Sequence, residues 1–143
     1  MTERRRLVVE AARGLVGIRF RPMGRTAAVG LDCVGLVFAA HAAAGVTLKE
    51  TMVYRIGETE MSGPLLAAVV AQGRTVAPED VAAGDVVVVL VNRHPRHLAL
   101  VVGLSGASLR IVHASTGFPR KVAEGLLERE DVALAVNFLG EDT

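Results

Sequence analysis

The sequence predicts an α+β fold, with N-terminal helices packed on a mostly antiparallel sheet. Three observations carry this. Helical periodicities fall in the first half of the chain. Short β-branched runs fall in the second half. The Gly- and Ser-containing links between those runs allow hairpins and are too short for parallel crossovers. The length of 143 residues, half of them apolar, suits a single domain spanning 1–143.

Each element has its own signal. Over residues 4–17, Leu7, Val8, Ala11, Ala12 and Leu15 share one side and Arg and Glu the other, an amphipathic helix with Thr2 as N-cap. The segment "IRFRPMGRTAAVGL" holds Pro22, Gly24 and Gly30 and reads as a loop. A second helix opens at Cys33, capped by Asp32 and stopped by Gly45. It is apolar nearly all round, which places it at the centre of the fold. Residues 46–61 read as irregular. "SGPLLAAVVAQG" reads as a third helix, with Ser62 as cap, Pro64 in the first turn and Gly73 at the end. Strands follow at 86–91, 97–102, 108–114 and 132–139. "AEGLLERE", rich in helix formers, reads as a short helix.

Composition excludes several classes of function. The net charge is +1, aromatics make up 3% and tryptophan is absent, so base-stacking recognition of nucleic acid lacks its platforms. No apolar stretch reaches the roughly 18 residues of a membrane span. Glu10 and Arg13 interrupt the N-terminal apolar stretch, so it does not read as a signal peptide and the expected site of synthesis is the cytoplasm. A single cysteine forms no intramolecular disulfide. Arg4, Arg5, Arg6, Arg13, Arg19, Arg21 and Arg25 crowd the first 25 residues. They read either as a solvated basic face or as a docking surface for an acidic partner or a substrate carboxylate.

Cys33 is the residue on which chemistry can turn. At a helix N-terminus, open N–H groups and the dipole favour a thiolate and can hold an oxyanion. A nucleophilic thiol also needs a base, usually histidine, oriented by a third polar group. His97 and His113 stand at the ends of apolar strands one turn apart, where their side chains can pair across the ladder. His41 lies about 12 Å along the Cys33 helix, out of reach. His94 lies in the loop "NRHPRH". Two blander readings stay open: Cys33 as a core residue, and the histidines as ordinary strand-end side chains. A zinc site from Cys33, His94, His97 and His113 is a further alternative, disfavoured by the proline in "HPRH" and the lack of a second thiol. Asp32 reads as a cap and Asp85 as a turn residue, and "GRTAAVG" lacks the lysine of a phosphate loop.

The order of "GLDCVGLV", "GDVVVV", "HLALVVG" and "IVHAS" resembles the NlpC family of cell-wall cysteine peptidases, circularly rearranged relatives of papain, over about residues 5–137. The resemblance implies Cys33 as nucleophile, His97 as general base and His113 as the residue that orients it. It implies amide hydrolysis in the peptide stems of peptidoglycan, with no cofactor and no metal. Phe20 stands where many members carry a tyrosine beside the site, and Arg21 and Arg25 of the same loop are candidates for binding substrate carboxylates. Val34 replaces the serine that commonly follows the cysteine. The small size is similar to members borne on phage tails or gene transfer agents. That implies tail-tip or baseplate partners and action in the periplasm or cell wall. The competing expectation is an inactive structural or adaptor subunit with the same fold.

Overall fold

A computed structural model describes residues 1–50 and 63–140 of the chain. Helix α1 spans Glu3–Gly14, and Thr2 caps it as expected, its hydroxyl accepting from the Arg5 N–H at 3.3 Å. Helix α2 spans Cys33–Ala43, with Asp32 accepting from the Gly35 N–H, and it ends at Gly45, whose φ of 78° is the left-handed geometry of a helix stop. Helix α3 spans Gly63–Val70. The expected cap Ser62 and residues 51–61 lie outside the described residues. The predicted loop at 18–31 holds two short strands, β1 (Arg25–Thr26) and β2 (Gly30–Leu31), paired as a small hairpin.

Six further strands form one antiparallel sheet. They are β3 (Arg74–Val76), β4 (Val86–Val91), β5 (His94–Ser105), β6 (Ser108–Ala114), β7 (Val122–Glu128) and β8 (Val132–Asn137). Their spatial order is β3-β8-β4-β5-β6-β7. The last strand thus lies between β3 and β4 rather than at an edge.

Three readings of the sequence need correction. "AEGLLERE" is not a helix; most of it belongs to β7, which pairs with β6 from Ser108↔Glu128 to Ala114↔Val122. Leu, Ala and Glu favour helix locally, but the open edge of β6 offers a full ladder, and cross-strand pairing outweighs a propensity of tenths of a kcal/mol. Next, β5 begins at His94 and not at His97, because Asn92 and Arg93 both take positive φ (51° and 68°) and close a tight hairpin from β4. Lastly, β3 went unread, since only three of its residues pair.

Why β4 is apolar at every position follows from the sheet. Val86 and Val88 face the helices, in a cluster with Val8, Ala12, Leu36, Val37, Ala40, Leu98 and Leu100. Val87 and Val89 face the other way, in a second cluster with Val81, Ala99, Val101, Leu109 and Ile111. Burying both faces of a strand removes the polar/apolar alternation.

Arg5 ties α1 to the start of β4. Its Nη1 donates to the Ala83 carbonyl at 2.9 Å and to Asp85 Oδ1 at 3.0 Å, and both residues are buried. Asp85 Oδ2 accepts from the Ala82 N–H at 2.9 Å. Asp85 is therefore the turn residue the sequence suggested and also half of a buried ion pair. Arg4, Arg6 and Arg13 are exposed, as a solvated basic face requires, and each also has a partner within the protein. Arg4 donates to the Leu139 carbonyl, Arg6 pairs with Glu3 and Glu10, and Arg13 pairs with Glu124.

Candidate active site

Asp32 builds the first half of the site. Its Oδ1 accepts from the Gly35 N–H at 2.8 Å, capping α2, and from Arg25 Nη1 at 2.8 Å. Its Oδ2 accepts from the Met23 N–H at 2.8 Å. One buried carboxylate thus starts the helix and fastens the 21–25 loop beside it. The capping was legible in the sequence; the clamp on the loop was not. Gly24 and Gly35 belong to the same junction. A Cβ on Gly35 would overlap the Gly24 carbonyl, and one on Gly24 would overlap the Gly30 carbonyl, so the backbones approach as only glycine allows.

Cys33 is the first residue of α2 and half-buried. Backbone N–H groups of Val34 and Leu98 face its thiol. Leu98 directly follows His97 on β5, so the helix start is seated against the strand that carries the histidine. His97 Nε2 lies 3.2 Å from His113 Nδ1, with the two rings nearly perpendicular. The Leu100↔Val112 pair sets this register: three residues back on β5 and one forward on β6, the histidines fall on a cross-strand diagonal. His97 and His113 thus meet each other across β5 and β6, and Cys33 is tied to the same strand through the Leu98 N–H. His94 is exposed at the start of β5, and among the described residues no three His, Cys, Asp or Glu side chains are grouped to hold a metal ion.

Phe20 sits beside this junction. Its N–H donates to the Arg120 carbonyl at 2.9 Å, it bridges to Leu31, and the Arg120 guanidinium lies 5.1 Å from its ring centre. Arg25 pairs with Asp32 and Glu50 and lies over the Phe38 ring. Its charge is thus matched within the protein. Arg21 is exposed.

The proton positions differ from the simple helix-dipole expectation. Burial pushes the Cys33 thiol up to about 12, and the Asp32 carboxylate adds to the rise. The Leu98 and Val34 N–H groups and Arg25 act the other way and are outweighed. Burial, helped by His113, lowers His97 to about 4, and burial lowers His113. Both shifts favour the uncharged forms of the two side chains at neutral pH.

His41 has no part in this arrangement. It is fully buried, its Nδ1–H donates to the Val37 carbonyl at 2.8 Å, and its ring meets Phe138 edge-on. Its Nε2 has no hydrogen-bond partner among the described residues. Burial lowers it from 6.5 to about 4. The unfolded chain therefore takes up this proton first. The contribution of His41 to stability is complete above pH 6.5 and is lost as pH falls from there towards 4. Its size is about 3 kcal/mol. Urea titrations between pH 7 and pH 4 are expected to show stability falling less in His41→Leu than in the parent. Equal slopes would contradict this assignment.

Comparison with known proteins follows the same lines. A family model, the NlpC/P60 family, matches residues 17–124. Comparison with curated proteins gives no match. Among solved structures, a lipoprotein-like NLP/P60 family protein of Staphylococcus aureus superposes with a TM-score of 0.71 at 16% identity, over 99% of this chain. This chain spans only 43% of that protein. RipD of Mycobacterium tuberculosis, described as a non-catalytic NlpC/p60 domain protein adapted to peptidoglycan binding, superposes at 0.64 with 17% identity, over 97% of this chain and 100% of that one. The NlpC/p60 domain of the peptidoglycan hydrolase SagA superposes at 0.65 with 19% identity, over 93% and 97%. Three helices on a six-stranded antiparallel sheet, with the matched segment running from the loop before Cys33 into β7, lead to one assignment: the chain belongs to the NlpC/P60 family.

Proposed function

We propose that the protein is a cysteine peptidase that hydrolyses amide bonds in the peptide stems of peptidoglycan. The observation that carries the proposal is the His97 Nε2–His113 Nδ1 contact of 3.2 Å beside a helix that begins at Cys33. With the His97 Nε2–H donating to His113 Nδ1, the His97 Nδ1 lone pair is available as base. It takes the thiol proton as Cys33 Sγ attacks the carbonyl carbon. The Cys33 N–H in the open first turn of α2 stabilises the oxyanion. The imidazolium then protonates the leaving amine as the C–N bond breaks, leaving a thioester on Cys33. Water, deprotonated by His97, releases the acid and restores the thiol. Phe20, bridged to Leu31, is the residue assigned to flank the substrate beside Cys33 in this proposal.

Delivery to the wall by a phage-like tail tip or baseplate is part of this proposal and rests on the resemblance to small tail-borne members. A second reading, a wall-binding domain without activity, has one observation in its favour: burial and Asp32 push the thiol up rather than down. Digestion of purified sacculi separates the two readings. The peptidase reading expects soluble fragments whose masses show one new free amine and one new carboxylate per cut, with glycan strands intact. Sacculi that bind the protein and release nothing would overturn it.

A further inference from the structure

We infer that Arg19, Arg21 and Lys121 form a cationic face that holds the carboxylates of polymeric peptidoglycan beside the N-terminal end of α2, where Cys33 lies. The inference rests on peptidoglycan being the substrate. The three residues lie on a narrow ribbon of backbone. Gly17 donates to the Val122 carbonyl, Val122 to Ile18, Phe20 to Arg120 and Leu31 to Arg19. Arg19 and Arg21 are two apart on an extended segment, so their side chains share a face, and Arg19 stands directly opposite Lys121 in an antiparallel bridge. Phe20 points to the other face, against the core. Both arginine stems cross Gly30. A Cβ there would come within 2.8 Å of Arg21 Cβ and 3.1 Å of Arg19 Cγ, and Gly30 has a φ of 124°.

Two features point to a ligand for this face. First, all three side chains are exposed and none pairs with a carboxylate among the described residues; the Nε of Arg19 donates to the Val29 carbonyl. Of the other N-terminal arginines, Arg5, Arg6, Arg13 and Arg25 each hold an acidic partner, and Arg4 donates to the Leu139 carbonyl. Residues 17–31 and 114–123 contain no acidic residue at all. Second, like charges directly opposite across a bridge destabilise the pairing, so folding alone gives no reason for Arg19 to face Lys121.

The position suits a polymer. The ribbon reaches Cys33 through Leu31, and it reaches His113 through Ser115, whose N–H donates to the Lys121 carbonyl at 3.0 Å. Phe118, fully exposed, stands three residues before Lys121. It offers a flat apolar surface at the end of the ribbon to the carbon face of a sugar ring. A strand bearing stem carboxylates at intervals can be held on this face while one stem is presented to Cys33.

The test is sedimentation of Cys33→Ala protein with insoluble sacculi, which reads binding without hydrolysis. Three preparations distinguish the anions: untreated sacculi, sacculi stripped of phosphodiester polymers with hydrofluoric acid, and stripped sacculi whose carboxylates have been amidated. Binding to the first two, weakened by salt and lost on amidation, is expected. Lys121→Glu, added to Cys33→Ala, is expected to weaken binding about tenfold. Its thermal midpoint should hold or rise, because the new carboxylate faces Arg19. Arg21→Gln should weaken binding as well, and Phe118→Ala should do so without changing the salt dependence. Binding that survives amidation or survives Lys121→Glu would overturn the inference, and so would binding lost on hydrofluoric acid treatment. None of these outcomes depends on whether the parent protein cleaves the wall.

Discussion

Cys33→Ala is expected to lower release of soluble stem fragments by about 10⁴-fold or more, with the fold unchanged. Loss of a nucleophile leaves no alternative covalent route, and Cys33 is the only thiol in the chain. The substitution removes one sulfur from a half-buried first position of a helix, where alanine is well tolerated. His97→Ala should cost about 10² to 10⁴-fold, the usual contribution of a positioned base. His113→Ala should cost less, because His113 orients the base and does not itself take the thiol proton. Parallel circular dichroism and thermal midpoints separate lost chemistry from lost structure. A Cys33→Ala protein that digests sacculi at the parental rate would remove the residue from the mechanism.

Asp85→Ala is expected to be the most destabilising of the simple substitutions, by about 3–5 kcal/mol. The Asp85 carboxylate is fully buried, bonded to Arg5 and to the Ala82 N–H. Removing it takes away the buried carboxylate bonded by Arg5 Nη1 between α1 and the start of β4. The double variant Arg5→Met/Asp85→Leu should recover part of that loss, because a buried ion pair replaced by apolar side chains costs less than one of its members removed alone. Denaturant midpoints of the two single variants and the double variant measure the coupling. Additive losses would show that the two residues act independently.

The local features of the sequence translated directly into structure. Thr2, Asp32 and Gly45 mark helix ends because capping is a matter of one or two neighbours. "VVVVLV" and "SLRIVHA" became β4 and β6 with the expected boundaries. The diagonal meeting of His97 with His113 followed from two strands and the turn between them. What stayed hidden depended on partners far along the chain. β7 is a strand because β6 has an edge to fill. Arg5 is buried because Asp85, 80 residues later, waits for it. Asp32 reads only as a cap because its bonds to Met23 and Arg25 exist only once the loop has folded back. The thiol went the same way. A helix N-terminus argues for a lowered pKa, but the burial that outweighs it comes from the whole surrounding fold.

If attack and proton transfer to His97 occur together, the acyl group accumulates on one sulfur and nowhere else. The most direct measurement is therefore the mass of the protein after rapid acid quenching during digestion of purified stem peptide. The mechanism predicts a fraction of the protein heavier by the acyl fragment, with the added mass on the peptide containing Cys33 and absent from Cys33→Ala. Turnover with no adduct on that peptide, continuing undiminished in Cys33→Ala, would contradict it.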